Sequence, residues 1–323
     1  MAVWLLFFVA FFLLQFASVA QVSNIYSTGF ELSEDFDFRD TLIGRGCTPA
    51  GQDCWTGTDS HANGIFTDYF FPEAQFGQQQ AFIGAFTLTN LNGTLHVWRP
   101  LNFDPIAAEL PIVTFYVTLS IYDSSAGANR DFFRWSIYNT NNEGERLFSI
   151  DFDNTTTNIN FELDDNKLVW TDYLFENGGQ YDLVVIMNFA DNLWSAWLND
   201  IQIVDSEQMT TKGSALNLGD IDAVWVNATP GKPGDNFMVF DNYVVTAEPY
   251  PFRLDPVGRL SNGTFFLRLT GEPGRRYDIE VSDDLNGWFL LTTKTVDADG
   301  TVIVDDPAAS DYDRSFYRAR LVL

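Results

Sequence analysis

The chain has 323 residues, with 44 Asp and Glu against 18 Lys and Arg, a formal net charge of −26. A surface this acidic repels phosphate backbones, so the composition excludes a nucleic-acid partner. Charged residues make up only 19% of the chain and apolar residues 46%, with 30 Phe, 9 Trp and 12 Tyr, which excludes intrinsic disorder.

The amino end reads AVWLLFFVAFFLLQFASVA over 2–20. Val3–Leu14 is wholly apolar, and Ala17-Ser18-Val19-Ala20 places small residues where a leader is cut. The expectation is a signal peptide over 1–20 and a mature chain from Gln21; the alternative is an uncleaved anchor. The n-region lacks Lys and Arg, so only the terminal amine is positive there. No second long apolar stretch follows, so no membrane span is expected after cleavage. The expected location is secreted, or the cell surface or periplasm. Export permits a disulfide, and Cys47 and Cys54 flank a short loop that Pro and Gly can turn. That pair is expected to close. No further Cys pair completes a zinc set.

Beyond Gln21 no segment shows a 3.6-residue apolar period. Short β-branched and aromatic runs recur instead: Ile112–Tyr122, Phe132–Tyr138, Leu147–Phe152, Tyr181–Phe189, Trp194–Val204, Ala223–Asn227 and Asn236–Thr246. In the first run one face carries Phe115, Val117, Leu119 and Ile121. Alternation of period 2, with Gly, Asn, Asp and Pro between runs, predicts antiparallel strands in a sandwich or barrel. Glu248-Pro249-Tyr250-Pro251 breaks the pattern. Residues 254–323 hold 8 basic and 12 acidic side chains, a net of −4, whereas 21–253 hold 10 and 32, a net of −22. The tail has its own runs: Thr264–Leu269, Tyr277–Val281, Trp288–Thr293, Thr301–Val304 and Phe316–Leu321. The predicted division is a β domain over 21–248, a linker over 249–258 and a small β domain over 259–323.

Several stretches of the first domain resemble the laminin-G-like, concanavalin-A-like jelly-roll modules of secreted bacterial proteins. They are Gly29-Phe30-Glu31, Gly51-Gln52-Asp53-Cys54-Trp55, the run from Phe76 to Gly84, the hairpin from Gly179 to Asp200, and the closing strand from Asn236 to Tyr243. Phe266–Arg320 resembles a carboxy-terminal β module of secreted proteins from the Verrucomicrobia and Planctomycetes. The fold class implied is all-β: a jelly-roll sandwich followed by a small β-sandwich-like domain.

In such modules an opening Phe-Glu and a closing Asp lie side by side and hold a structural calcium. The matching residues here are Glu31 and Asp241. Calcium takes six to eight oxygens, so backbone carbonyls would complete the set.

No catalytic residue is assigned. A retaining glucanase needs two carboxyls about 5–5.5 Å apart on one strand face. Ser149-Ile150-Asp151-Phe152-Asp153 has Ser at the nucleophile position, and Glu162-Leu163-Asp164-Asp165-Asn166-Lys167 has Lys at the acid position. Both read as outward acids on an edge strand or turn. His96, next to Val97-Trp98-Arg99, reads as a hydrogen-bonded strand residue. Glycan binding needs no titrating group, only exposed rings flanked by polar side chains. Trp55, in a Gly-rich loop, and Trp194, just past a hairpin turn, are the rings expected to be exposed. The favoured function is a non-catalytic carbohydrate-binding or adhesion protein with an extracellular glycan or matrix as partner. The alternatives are a diverged glycoside hydrolase or polysaccharide lyase, and a structural envelope component.

Overall fold

A computed structural model describes residues 22–43, 53–58, 61–67, 70–71, 77–84, 93–140 and 144–322. The expected leader over 1–20 and Cys47 lie outside these residues. Among the described residues no helix is long and apolar enough to cross a membrane. The ordered elements are almost all strands, and the chain divides into two compact units, Val22–Glu248 and the segment from Pro249 onward.

The strands of the first unit are β1 (Ser23–Thr28), β2 (Thr56–Gly57), β3 (Asn63–Phe66), β4 (Gln80–Gly84), β5 (Thr94–Trp98), β6 (Ile112–Tyr122), β7 (Phe132–Tyr138) and β8 (Arg146–Asp153). They continue as β9 (Asn158–Leu163), β10 (Leu168–Leu174), β11 (Tyr181–Asn188), β12 (Leu193–Leu198), β13 (Ile201–Gln208), β14 (Asp220–Val226) and β15 (Phe237–Glu248). An eight-stranded sheet runs β13-β12-β11-β6-β15-β4-β3, with β1 also on β15; a seven-stranded sheet runs β10-β9-β8-β7-β14-β5-β2. Every pairing is antiparallel. The alternating runs form a two-sheet sandwich, the jelly-roll fold class that the resemblance implies. Phe115, Val117, Leu119 and Ile121 of β6 are fully or almost fully buried, as the period-2 pattern requires.

The two sheets enclose one core rich in aromatic rings. Trp135 meets Phe240 edge to face at 5.2 Å, and Tyr243 meets Trp55 at 5.2 Å and Phe115 at 5.0 Å. Here two expectations are corrected. Trp55 is 2% exposed and Trp194 is 1% exposed. Trp55 packs on Phe30 at 5.5 Å, and its indole N–H donates to the Tyr26 hydroxyl at 3.1 Å. Trp194 stacks on Phe148 at 3.9 Å and meets Phe161 edge-on at 5.4 Å. A Gly-rich loop or a nearby turn fixes where the backbone goes, but ring burial decides where the side chain goes. Neither ring can offer a face to a sugar.

The run Trp194–Val204 divides at Asn199-Asp200, where the hairpin's second arm is expected to end, into β12 and β13, with Asn199 in left-handed backbone at φ 54°. The second unit has strands β16 (Arg253–Arg259), β17 (Phe265–Thr270), β18 (Arg276–Ser282), β19 (Phe289–Thr295), β20 (Thr301–Asp306) and β21 (Phe316–Leu321). Sheets β16-β17-β20 and β19-β18-β21 share a core of Phe265, Leu267, Leu269, Tyr277, Ile279 and Val304. It is a small β-sandwich.

Removing a fully buried Trp costs about 3–5 kcal/mol. Trp194→Ala is therefore expected to lower unfolding free energy by that order. Urea unfolding followed by far-UV circular dichroism checks this, and a cost below about 1 kcal/mol would contradict the burial described.

Candidate functional site

The outer face of the seven-stranded sheet carries an ordered array of polar side chains. Alternation along each strand sends every second residue to that face, and the ladder registers align them across strands. One cross-strand row runs Trp170, Asn160, Asp151, Arg134, Val224, His96. The neighbouring row runs Leu168, Glu162, Ser149, Ser136, Asp222. Extending the β14–β5 register by one residue puts Trp98 next to Asp222. From β10 to β5 is five strand spacings, about 24 Å.

The centre of the face is locked by charge pairs. Arg134 donates from Nη2 to Asp151 Oδ2 at 2.6 Å and reaches Glu162 Oε2 at 3.4 Å. Arg146 donates to Glu162 Oε1 at 2.6 Å, and the Ser149 hydroxyl donates to Asp151 Oδ1 at 2.9 Å. Burial pushes the Asp151 carboxyl above its ordinary range, with Arg134 and Ser149 pulling back. The segment Ser149–Asp153 was expected on an edge strand. It lies on β8, third in the sheet order, and its acid Asp151 is buried and ion-paired. Arg134 thus bridges Asp151 and Glu162, and Arg146 holds Glu162 from the other side.

At the β5 side of this face a cavity of about 420 Å³ is lined by His96, Trp98, Tyr138, Asn139, Thr140, Asp220 and Asp222 among others. A second cavity of about 290 Å³ is lined by Arg146, Asp164 and Lys212 among others. Tyr138 borders both. Asp220 and Asp222 stand two apart on β14, so both point outward. Burial pushes Asp220 up to about 8, with the neighbouring Asp222 adding to it. Burial pushes Asp222 up to about 7. Two close carboxyls in a sheltered site cannot both ionise, so the pair retains a proton near neutrality. His96 Nδ1 lies 3.1 Å from Asp222 Oδ2, the strand hydrogen bond that the sequence suggests. Burial, then the charge of Arg134, holds the imidazole below its usual range.

Sequence reading missed the pair because it began the strand at Ala223 and left both acids outside. The alternation Asp220-Ile221-Asp222-Ala223, with Ile221 and Ala223 buried, is the signal that finds them. Residue type makes Trp170 one of seven tryptophans that could bind a glycan, but nothing in the sequence singles it out. Trp170 is 63% exposed on β10, beside Asn160, whose Oδ1 is buried without a partner. Arg134 Nε, Ser136 Oγ and Asp222 Oδ1 on the same face are likewise buried and unpartnered. Such atoms are costly unless a ligand or water meets them.

Asp241 lies on β15 of the other sheet, and Glu31 follows the end of β1, capping the short 3-10 turn Leu32–Glu34. β15 pairs with β4 through Phe240 and with β1 from Tyr243 onward, so the end of β1 faces the β15 bulge at Asp241–Val244. Asn242 there has φ 50° and Phe30 has φ 57°. The two ends of the domain thus adjoin in one sheet. A Cβ placed on Gly29 would lie 3.7 Å from Asp241 Oδ1 and 3.9 Å from both Glu31 Cγ and Glu34 Oε2. Glu34 Oε2 accepts from Thr28 Oγ1 and from the backbone N–H of Gly29 and Glu31. Glu31 Oε1 accepts from the N–H of Gln78 and Gln79 at 2.9 and 3.2 Å. Gly77, at φ +71°, passes so close that a Cβ would sit 2.0 Å from Glu31 Oε1. Asp241 Oδ1 accepts the Asn242 N–H at 2.6 Å, while Oδ2 is buried with no partner. Burial pushes Asp241 up to about 8, with Glu31 and Glu34 adding repulsion. No group of three or more His, Cys, Asp or Glu is gathered for a metal among the described residues. Any ion here would need backbone oxygens. Cys54 is not a free thiol, while its expected partner Cys47 is outside the described residues.

No family model and no curated protein matches the sequence. Solved structures with similar folds include a sialidase, 7% identical, with 64% of this chain matched and a TM-score of 0.42. The chain spans only 18% of that sialidase's length. A carbohydrate esterase from the Shiga toxin-encoding bacteriophage phi24B is 11% identical over 70% of this chain and 99% of its own, with a TM-score of 0.42. A carbohydrate-binding module from Bacillus subtilis is 12% identical over 59% of this chain and 94% of its own, with a TM-score of 0.35.

The acid pair sets a pH dependence. Asp220 and Asp222 stay protonated in the fold through a range where the unfolded chain, at the ordinary 3.8, has ionised them. Their contribution to stability is full below about pH 4 and falls as pH rises toward 7 and 8. Asp220→Asn removes that loss. Relative to the parent, the variant is expected to gain on the order of 3–4 kcal/mol between pH 5 and pH 8 in urea unfolding. A constant difference across that range would contradict the raised values.

Proposed function

We propose that this chain is an exported, non-catalytic glycan-binding or adhesion protein that holds an extracellular polysaccharide or matrix glycan across the outer face of its seven-stranded sheet. The observation that carries this is the pair of cross-strand rows, with the exposed Trp170 ring at one end and Trp98 by the cavity at the other. Between them lie buried polar atoms of Asn160, Arg134, Ser136 and Asp222 that have no protein partner. Rings for sugar C–H faces, flanked by donors and acceptors for hydroxyls, are what a saccharide requires. The ion-paired state of Asp151 and Glu162 favours binding over a diverged hydrolase. The apolar leader sequence and the Cys47–Cys54 pair support export.

Trp170→Ala is expected to weaken binding to the responsive glycan by about tenfold, roughly 1.4 kcal/mol, on a polysaccharide array. Because the ring is exposed, the melting temperature is expected to hold. Equal binding by parent and variant to every responsive glycan would remove this face from the proposal. Release of reducing or unsaturated sugars from a glycan would move the reading to an enzyme.

A structural calcium at Glu31 and Asp241 belongs to the same proposal, supported by the buried, unpartnered Asp241 Oδ2 and the convergence on Gly29. The ion would neutralise Asp241 and tie the first strand to the last. Excess EGTA is then expected to lower the melting temperature by several degrees. An unchanged melting temperature, with no metal in elemental analysis, would dismiss the site.

A further inference from the structure

We infer that the cavity at Asp220 and Asp222 is a subsite for an ammonium group, so that the glycan bound is an amino sugar polymer with free amines. This rests on the proposed glycan-binding face and goes on to name the ligand class. The cavity has about 420 Å³ and contains two carboxyls, Asp220 and Asp222, and two aromatic walls, Trp98 and Tyr138. Among the described residues no Lys or Arg lines it. His96, the remaining basic side chain there, has its imidazole held below the usual range by burial. The side chain of Asp222 is 6% exposed, and its Oδ1 has no partner. Ser136, 1% exposed and directly opposite Asp222 in the β7–β14 ladder, turns an unpartnered Oγ to the same face.

These groups match an ammonium in three ways. A protonated amine donates three hydrogen bonds and accepts none, as carboxylate and hydroxyl oxygens require. Its charge favours the ionised form of two carboxyls that otherwise retain a proton, which a neutral hydroxyl does not. The rings of Trp98 and Tyr138 offer negative faces to a cation and apolar surface to the sugar. Cations elsewhere on the face are already committed: Arg134 to Asp151 and Glu162, Arg146 to Glu162, and Lys212 Nζ to the Asp164 carbonyl. A uronate or sulfate would find no unpaired cation among these residues and would meet the acid pair instead.

The test compares three β-1,4-linked tetrasaccharides of equal length on the full mature chain by calorimetry at pH 6 and about 0.15 M salt: glucosamine, N-acetylglucosamine and glucose. The free-amine ligand is expected to bind at least about tenfold tighter than the other two. Because a polyacidic protein attracts any polycation, variants separate the cavity from the general field. Thr140→Lys adds one charge at an exposed position lining the cavity and is expected to abolish the amine preference. Ser261→Lys adds the same charge in the second unit, at an exposed position, and is expected to leave the preference intact. Asp220→Asn is expected to reduce it about tenfold without weakening the neutral glycans. Equal affinity for amine and hydroxyl ligands, or equal losses in the two lysine variants, would overturn the ammonium subsite while leaving glycan binding standing. Failure of the parent chain to bind any glycan, these three and a wider array included, would overturn both readings.

Discussion

One strand holds the sandwich together. β15 has β6 along one side, while β4 and β1 share the other, end to end. The switch between those two partners falls at Asp241–Asn242, where the register slips and Asn242 enters left-handed backbone. The slip lets Phe240 and Tyr243 both face the core, although they are three residues apart. Those two rings organise the aromatic cluster around Trp55, Trp135, Phe30 and Phe115. The same slip leaves Asp241 as a buried carboxyl with one oxygen unanswered.

The two sheets have different outer faces. The eight-stranded sheet covers part of its own with apolar rings, Phe66, Phe82 and Phe237 among them, with Phe66 and Phe82 stacked at 4.0 Å. The seven-stranded sheet has arginine, acid, hydroxyl and imidazole in register. Polar side chains in an inner strand face are costly when unpartnered, and the core gains nothing from them. That asymmetry is why the candidate site is placed on the second sheet, and why Trp170 and Trp98 matter more than the larger number of buried tryptophans.

Much of this was legible in the chain. The alternation over Ile112–Tyr122 delivered β6 residue for residue. His96 was read as a hydrogen-bonded strand residue, and it is. What failed were judgements about side-chain exposure. Trp55 and Trp194 follow flexible-looking residues, but their burial depends on rings more than fifty residues away or on other strands, such as Tyr243, Phe148 and Phe161. Asp220 and Asp222 fall outside the run that begins at Ala223, since Asp is rare in strands. Their placement depends on β7 and β5 lying on both sides, which only the ladder registers reveal.

The pairing of β1 with β15 has a kinetic consequence. Ser23 faces Ala247 and Thr28 faces Tyr243, partners about 220 residues apart along the chain. Closing so long a loop is costly in chain entropy before any contact repays it. Folds dominated by such distant pairings form slowly. Nearly the whole first unit must therefore exist before its first strand can find its place, so a nascent chain carries that strand unpaired until Tyr243–Ala247 have been made. A ribosome-bound fragment ending before β15 would keep its amino-terminal strand open to other partners, chaperones and translocation machinery included.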